Sequence, residues 1–165
     1  MITKTEVERL FEYRRDTGDF VWRISAGTVK FGKRAGADQH SRGRSYRQIK
    51  INKKYHKVHK LVWLMEHNEW PDFIIDHIDG DGLNNRIPNL RRCTMSQNKA
   101  NSLSYKNNKS GHKGVFYNKK LNRWTASIQC GGRRHFLGAF RTKEEAAIQY
   151  MASATLLFGE FARAG

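Results

Sequence analysis

The chain has 165 residues, of which 38% are hydrophobic and 28% charged, and its 31 Lys and Arg against 15 Asp and Glu give a formal net charge of +16. No apolar run approaches the ~20 residues that a bilayer-crossing helix needs. The opening Met1-Ile2-Thr3-Lys4-Thr5-Glu6 has no apolar core like that of a secretory signal, so the expectation is an intracellular protein of one medium domain or two small ones. Half of the excess charge, +8, lies from Tyr105 onward and half before it. A basic balance on both parts implies a polyanionic partner that each part follows. The two cysteines, Cys93 and Cys130, form no CxxC pair, which argues against a zinc ribbon and against a disulfide.

In chain order, Thr5-x-x-Glu8 reads as a capping box opening a short helix with Val7, Leu10 and Phe11 on one face. Phe20–Ile24 and Arg47–Ile51 have strand character, Asn52-Lys53-Lys54 is a turn, and Tyr55–Lys57 can return antiparallel. The Gly- and Arg-rich stretch between Ser25 and Ser45 has no clear periodicity; it is a loop region, either phosphate-contacting or simply solvated. A helix from Val58 to Glu66 buries Val58, Leu61, Val62 and Met65. Its His59, beside the buried stripe, is read as structural or phosphate-contacting. His40, His56 and His67 have no motif around them. Asn101–Gly111, rich in Ser, Asn, Lys and Gly, reads as a linker.

The most informative stretch is Ile75-Asp76-His77-Ile78-Asp79-Gly80, followed by Asn89 and Asn98. Phe73–Ile75 reads as a strand delivering Asp76 and His77 to its end. Asp79-Gly80-Asp81-Gly82 is turn chemistry, Arg86–Leu90 returns the chain, and Thr94-x-x-Gln97 caps a helix carrying Asn98 in its first turns. Hydrolysis of a phosphodiester needs an activated water, neutralisation of the phosphate and stabilisation of the leaving oxygen. A hard divalent cation supplies the last two and prefers oxygen ligands, for which Asp76 and the Asn98 amide are suited. An imidazole suits the first, so His77 is the general base, with Asn89 fixing its ring. A calcium-binding loop is the rival reading. Its register puts His77 at the first ligand position and Pro88 at the last, where acids are required.

Val58-His59-Lys60-Leu61-Val62-Trp63, Glu69-Trp70-Pro71, Ile75–Gly80, Asn85–Arg91 and Ser96-Gln97-Asn98 together resemble an HNH endonuclease, and most of all the homing and nicking enzymes of phages. The likeness covers Tyr46 to Asn101. It implies a ββα-metal fold, one divalent metal ion (Mg²⁺ first, Mn²⁺ second) on Asp76 and Asn98, and His77 as base. Asn89 is then the middle residue of the motif. The last motif residue is Asn98 where many HNH enzymes carry His, a departure also found in the homing branch. The resemblance further implies 5′-phosphate and 3′-hydroxyl products; the expected location is intracellular, in the cytoplasm of a host cell.

Beyond the linker, Gly114–Asn118, Arg123–Gln129 and Arg133–Phe140 read as three strands, with Gly131-Gly132 a hairpin turn. The Thr142-x-x-Glu145 box opens a helix whose apolar stripe runs from Ala146 to Phe158. Alternation assigns Val115, Tyr117, Trp124, Ala126, Ile128, His135 and Leu137 to the face under that helix. The other face holds Phe116, Asn118, Arg123, Thr125, Ser127, Gln129, Arg134 and Phe136, with Lys113 reaching it from the edge. Basic, amide and aromatic groups there suit groove readout. Ser110–Val115, Arg123–Ile128, Phe136–Phe140 and Glu144–Tyr150 resemble the AP2-type DNA-binding domain. That resemblance implies a three-stranded sheet in the major groove, with Lys113, Gly114, Phe116, Arg123, Ser127, Gln129, Arg134 and Phe136 at contact positions. Phe116, Ser127 and Phe136 depart from the Arg, Glu and Trp common in plant members.

The expectation is therefore an α+β protein with an HNH nuclease domain over residues 1–101, a linker over 102–110 and an AP2-like domain over 111–165. Its partner is double-stranded DNA, it works as a monomer with no obligate protein partner, and each visit nicks one strand. A DNA-binding regulator with a silent nuclease domain is the main alternative, and an RNA-directed protein the weaker one.

Overall fold

Thr3 sets the first helix. Its hydroxyl accepts the Glu6 N–H while the Glu6 carboxylate accepts the Thr3 N–H, so α1 (Lys4–Leu10) carries a reciprocal capping box. The box expected at Thr5 and Glu8 lies inside this helix instead. Two Thr-x-x-Glu frames overlap here, and the earlier one gives the longer helix before the chain turns into strand at Phe11. The structure, a computed structural model, describes residues 2–41, 43–103 and 108–163.

The chain divides into two units, Met1–Arg92 and Cys93–Gly165. In the first, β1 (Phe11–Arg14) pairs antiparallel with β2 (Asp19–Trp22), setting Phe11 opposite Trp22 and Tyr13 opposite Phe20. The sequence hides β1 because Leu10 and Phe11 continue the helical apolar spacing of α1. The Phe11 ring meets Phe20 edge-on at 5.9 Å and Trp22 at 4.4 Å. Phe11 and Phe20 join Val7, Ile49, Ile51, Val58, Leu61, Val62, Ile75 and Leu90 in the core of the unit, and Trp22 packs against it.

A second sheet, ordered β3-β4-β5, is built from Ala37–Ser41, Arg44–Ile51 and Lys54–Lys57. β3 occupies part of the stretch expected to be loop; its residues are exposed throughout, so no apolar alternation marks it. Asn52 and Lys53 take the positive φ values, 48° and 63°, of a two-residue hairpin turn. α2 (Val58–His67) follows at once and ends on Asn68 in the left-handed region. Then β6 (Ile74–His77) pairs with β7 (Leu90–Cys93), the return passing through a short 3₁₀ turn at Ile87–Asn89.

The division between units falls ahead of α3 (Met95–Asn101), whereas the sequence boundaries group this helix with the first domain. α3 has the expected Thr94–Gln97 box. The second unit continues with an antiparallel sheet ordered β10-β9-β8, from Val115–Asn118 (β8), Arg123–Cys130 (β9) and Arg133–Phe140 (β10). α4 (Lys143–Phe158), capped by Thr142 and Glu145, packs across all three strands and buries Ala146, Tyr150, Ala154 and Phe158. The chain is thus α+β, with small antiparallel sheets in both units. Of the expected linker, residues 104–107 lie outside those described. Among the described residues no helix is long and apolar enough to cross a membrane.

Candidate active site and nucleic-acid interface

β6 ends on Asp76 and His77, and both are buried, at 4% and 5% exposure. A carboxylate left uncompensated in such a place would be costly, but the Arg91 guanidinium on the paired strand meets Asp76, Nε to Oδ2, at 3.0 Å. Beside it the His77 imidazole places Nε2 at 3.2 Å from Asn85 Oδ1. Asn85 is itself 1% exposed, and its Nδ2 donates to the Leu83 carbonyl. That second bond fixes the amide, so its oxygen faces the ring, Nε2 is the protonated nitrogen and the lone pair lies on Nδ1.

The other walls of this site come from β4 and α2. The His59 ring stands edge-on to His77 with centroids 5.1 Å apart, and the Tyr46 ring lies 6.0 Å from His77 and 5.8 Å from His59. Burial, then the neighbouring His77 and the charges of Lys57 and Lys60, push the His59 pKa down to about 3. Burial also holds His77 below the usual imidazole range, against the opposing pull of Asn85, Asp79, Asp76 and Asp81. Both rings are therefore neutral near pH 7. The neutral form is the one that accepts a proton.

The loop after β6 is tied down by its own side chains. Asp79 accepts from the Asp81 N–H and Asn84 Nδ2, and Asp81 accepts from the Leu83 N–H. Burial disfavours the Asp79 carboxylate, but these donors and Asn89 outweigh it and its pKa lies below the ordinary value. Here the structure corrects the role expected of Asn89. It does not hold the imidazole; it clamps the loop, accepting from the Asp79 N–H at 3.0 Å and donating to Asp79 Oδ1 and to the Asn84 carbonyl. The ring is held by Asn85, which lies within the HNH-like stretch but is given no role by its spacing.

Two glycines allow this packing. Gly18, at φ +75°, lies so close to the site that a Cβ there would fall 2.2 Å from the Asn85 carbonyl oxygen. Gly82 lies against Tyr46, with a Cβ meeting the ring at 2.7 Å. Asp76, His77 and Asn89 are thus brought to one end of the β6–β7 pair, while Asn98 stands on α3 in the second unit. Among the described residues no cluster of three or more His, Cys, Asp or Glu side chains is arranged around a metal position. A set with one carboxylate and amide oxygens has no need of one. A hard cation suits a carboxylate such as Asp76, whose imidazole neighbour is neutral, but an ion there would share that carboxylate with the Arg91 guanidinium on Oδ2.

In the second unit the strand register puts Phe116 opposite Thr125, Ser127 opposite Phe136 and Gln129 opposite Arg134, as the alternation requires. Phe116 and Phe136 are 41% and 65% exposed, while Thr125 and Ser127 between them are buried. Arg134 lies over the Phe116 ring at 5.7 Å, and Arg123 is exposed at the start of β9. Three expected contact residues are committed to the unit itself. Lys113 donates to the carbonyls of Lys99, Ala100 and Ser102 at the end of α3, and burial with the Arg163 charge pushes its pKa down to about 8. Gly114, at φ +70°, lets Tyr150 of α4 approach; a Cβ would meet that ring at 2.3 Å. Asn118 accepts from the Lys120 and Leu121 N–H groups and shapes the β8–β9 turn.

Residues 56–100 match the HNH endonuclease family. The chain is 32% identical over 120 residues to protein 3.8 of Escherichia phage T7, covering 69% of this chain and 97% of that protein. It is 36% identical over 110 residues to an uncharacterized HNH endonuclease of Acanthamoeba polyphaga mimivirus, covering 64% of this chain and 55% of that protein. No solved structure matches. The chain carries an HNH endonuclease domain and belongs to the family of the T7 protein. That domain points to a DNA nuclease and so to DNA binding, and HNH nucleases use a divalent metal ion.

Proposed function

We propose that this protein is a metal-dependent endonuclease that nicks one strand of double-stranded DNA. The observation that carries the reading is the buried Asp76–His77 pair at the end of β6, inside the HNH match, with the imidazole held neutral and fixed by Asn85. His77 Nδ1 takes the proton of the attacking water. Asn85 keeps the opposite nitrogen protonated, and Asn89 positions the loop that follows the pair. Asp76 and Asn98 would hold the divalent ion, Mg²⁺ or Mn²⁺. When bound, that ion neutralises the phosphate and stabilises the leaving oxygen.

The AP2-like sheet of the second unit reads the duplex with Arg123, Gln129 and Arg134, while Phe116 and Phe136 supply apolar contact and Ser127 lies between them. Two exposed phenylalanines on a basic face support this, since a solvated face gains nothing from them. One nucleolytic centre per chain suits a monomer inside the host cell, and the likeness to phage enzymes suits a homing role. Supercoiled plasmid incubated with Mg²⁺ should pass to the nicked circle and stay intact with EDTA. Binding without nicking would make the protein a DNA-binding regulator instead, and linear product with no nicked intermediate would contradict single-strand action.

A further inference from the structure

The sheet β3-β4-β5 has two unlike faces. Ile49 and Ile51 point into the core, and Arg47 and Asp38 share their side in a two-bond ion pair. The alternate positions form the opposite face, where Arg44, Tyr46, Gln48, Lys50, Tyr55 and Lys57 lie side by side. Among the described residues no strand position on that face is acidic. Tyr55 is 68% exposed on it. Both tyrosine rings carry a cation: the Lys57 ammonium lies 4.7 Å from the Tyr46 ring centroid and that of Lys50 5.5 Å from Tyr55.

This face also runs into the site. Tyr46 belongs to it, yet the same ring abuts His59 and His77 and receives Gly82 of the loop after β6. A polyanion lying on Lys50 and Lys57 would therefore lead to the catalytic imidazole within the first unit itself.

We propose that the Lys50–Tyr55–Lys57 face of this sheet is a second DNA-binding surface, holding the duplex backbone beside the cut. It rests on the nuclease reading for its place in catalysis, but its binding role does not. Lysines are the phosphate contacts, and a basic sheet face with no acidic strand position and with glutamine and tyrosine between the lysines complements a polyphosphate strand. The contact is sequence-independent, which separates it from the readout assigned to the sheet of the second unit.

The test uses the full chain with His77→Ala and EDTA, so that cleavage plays no part, and a short double-stranded DNA followed by fluorescence anisotropy across a salt series. Adding Lys50→Ala and Lys57→Ala should weaken binding and make the dependence of log K on log salt shallower by about 1.8, since each phosphate no longer neutralised removes about 0.9 from the slope. Both lysines are exposed on a strand surface, and circular dichroism will show that the variant folds. Unchanged affinity and slope in the folded variant would overturn the proposal, as would tighter retention by duplex RNA of the same sequence. A wild-type chain that never nicks, in a protein where the double variant still has the shallower slope, would sink the nuclease reading and support the surface.

Discussion

Asn85 shows how a single amide can set the proton of a histidine ring, which the proposed mechanism uses to make His77 a directed base. Its oxygen can only accept, so a proton on His77 Nε2 is required and the lone pair faces the other way. Asn85→Ala should lower kcat for nicking with little effect on DNA affinity, because the ring loses its fixed tautomer while the proposed DNA-binding faces stay intact. Equal losses in kcat and affinity would mean that Asn85 touches DNA. His59 carries a second consequence, in stability. Its pKa in the folded protein, about 3, is below the ordinary imidazole value, so between these limits the unfolded chain binds a proton that the folded chain refuses. Stability should therefore fall as pH drops below about 6.5, by up to about 1.4 kcal/mol per pH unit from this residue. His77 and His56, both also lowered by burial, act in the same direction. His59→Leu should flatten the decline in urea unfolding measured between neutral and mildly acid pH; an unaltered slope would show that His59 protonates without penalty.

Elements are legible in the sequence where their signals are local. The Thr94 and Thr142 boxes, α2, the Asn52 turn, the three strands of the second unit and the stripe of α4 all follow from spacing and capping chemistry within a few residues. Thr142→Ala should cost about 1 kcal/mol in thermal unfolding of the second unit. What is not legible depends on distance. β3 has no buried face to give it a period, and β1 borrows its first aromatic from a helical pattern. Asp76 and His77 are plain as a pair, but Tyr46, His59 and Asn85 around them come from β4, α2 and a loop. Only the fold brings them to one place. Gly18 is the same kind of case, a turn residue whose lack of a side chain serves Asn85. Gly18→Ala should destabilise by about 1–3 kcal/mol from backbone strain alone, with nicking reduced further than stability explains; full activity at lowered stability would break the link to Asn85.

At the scale of the molecule, basic charge is spread over both units, and each carries a basic sheet face proposed above to meet DNA. The lysine most readily taken for a DNA contact, Lys113, is instead committed to the α3 carbonyls. Lys113→Met should thus lower the melting temperature, at a cost of about 1–2 kcal/mol for part-buried carbonyls that lose this donor, and leave the salt dependence of DNA binding unchanged. The whole mechanism depends on the imidazole at the end of β6. Single-turnover nicking by His77→Ala, with duplex affinity measured alongside, tests it most directly. A rate lowered by about 10²–10⁴-fold at unchanged affinity is predicted; a rate equal to that of the wild type would contradict it.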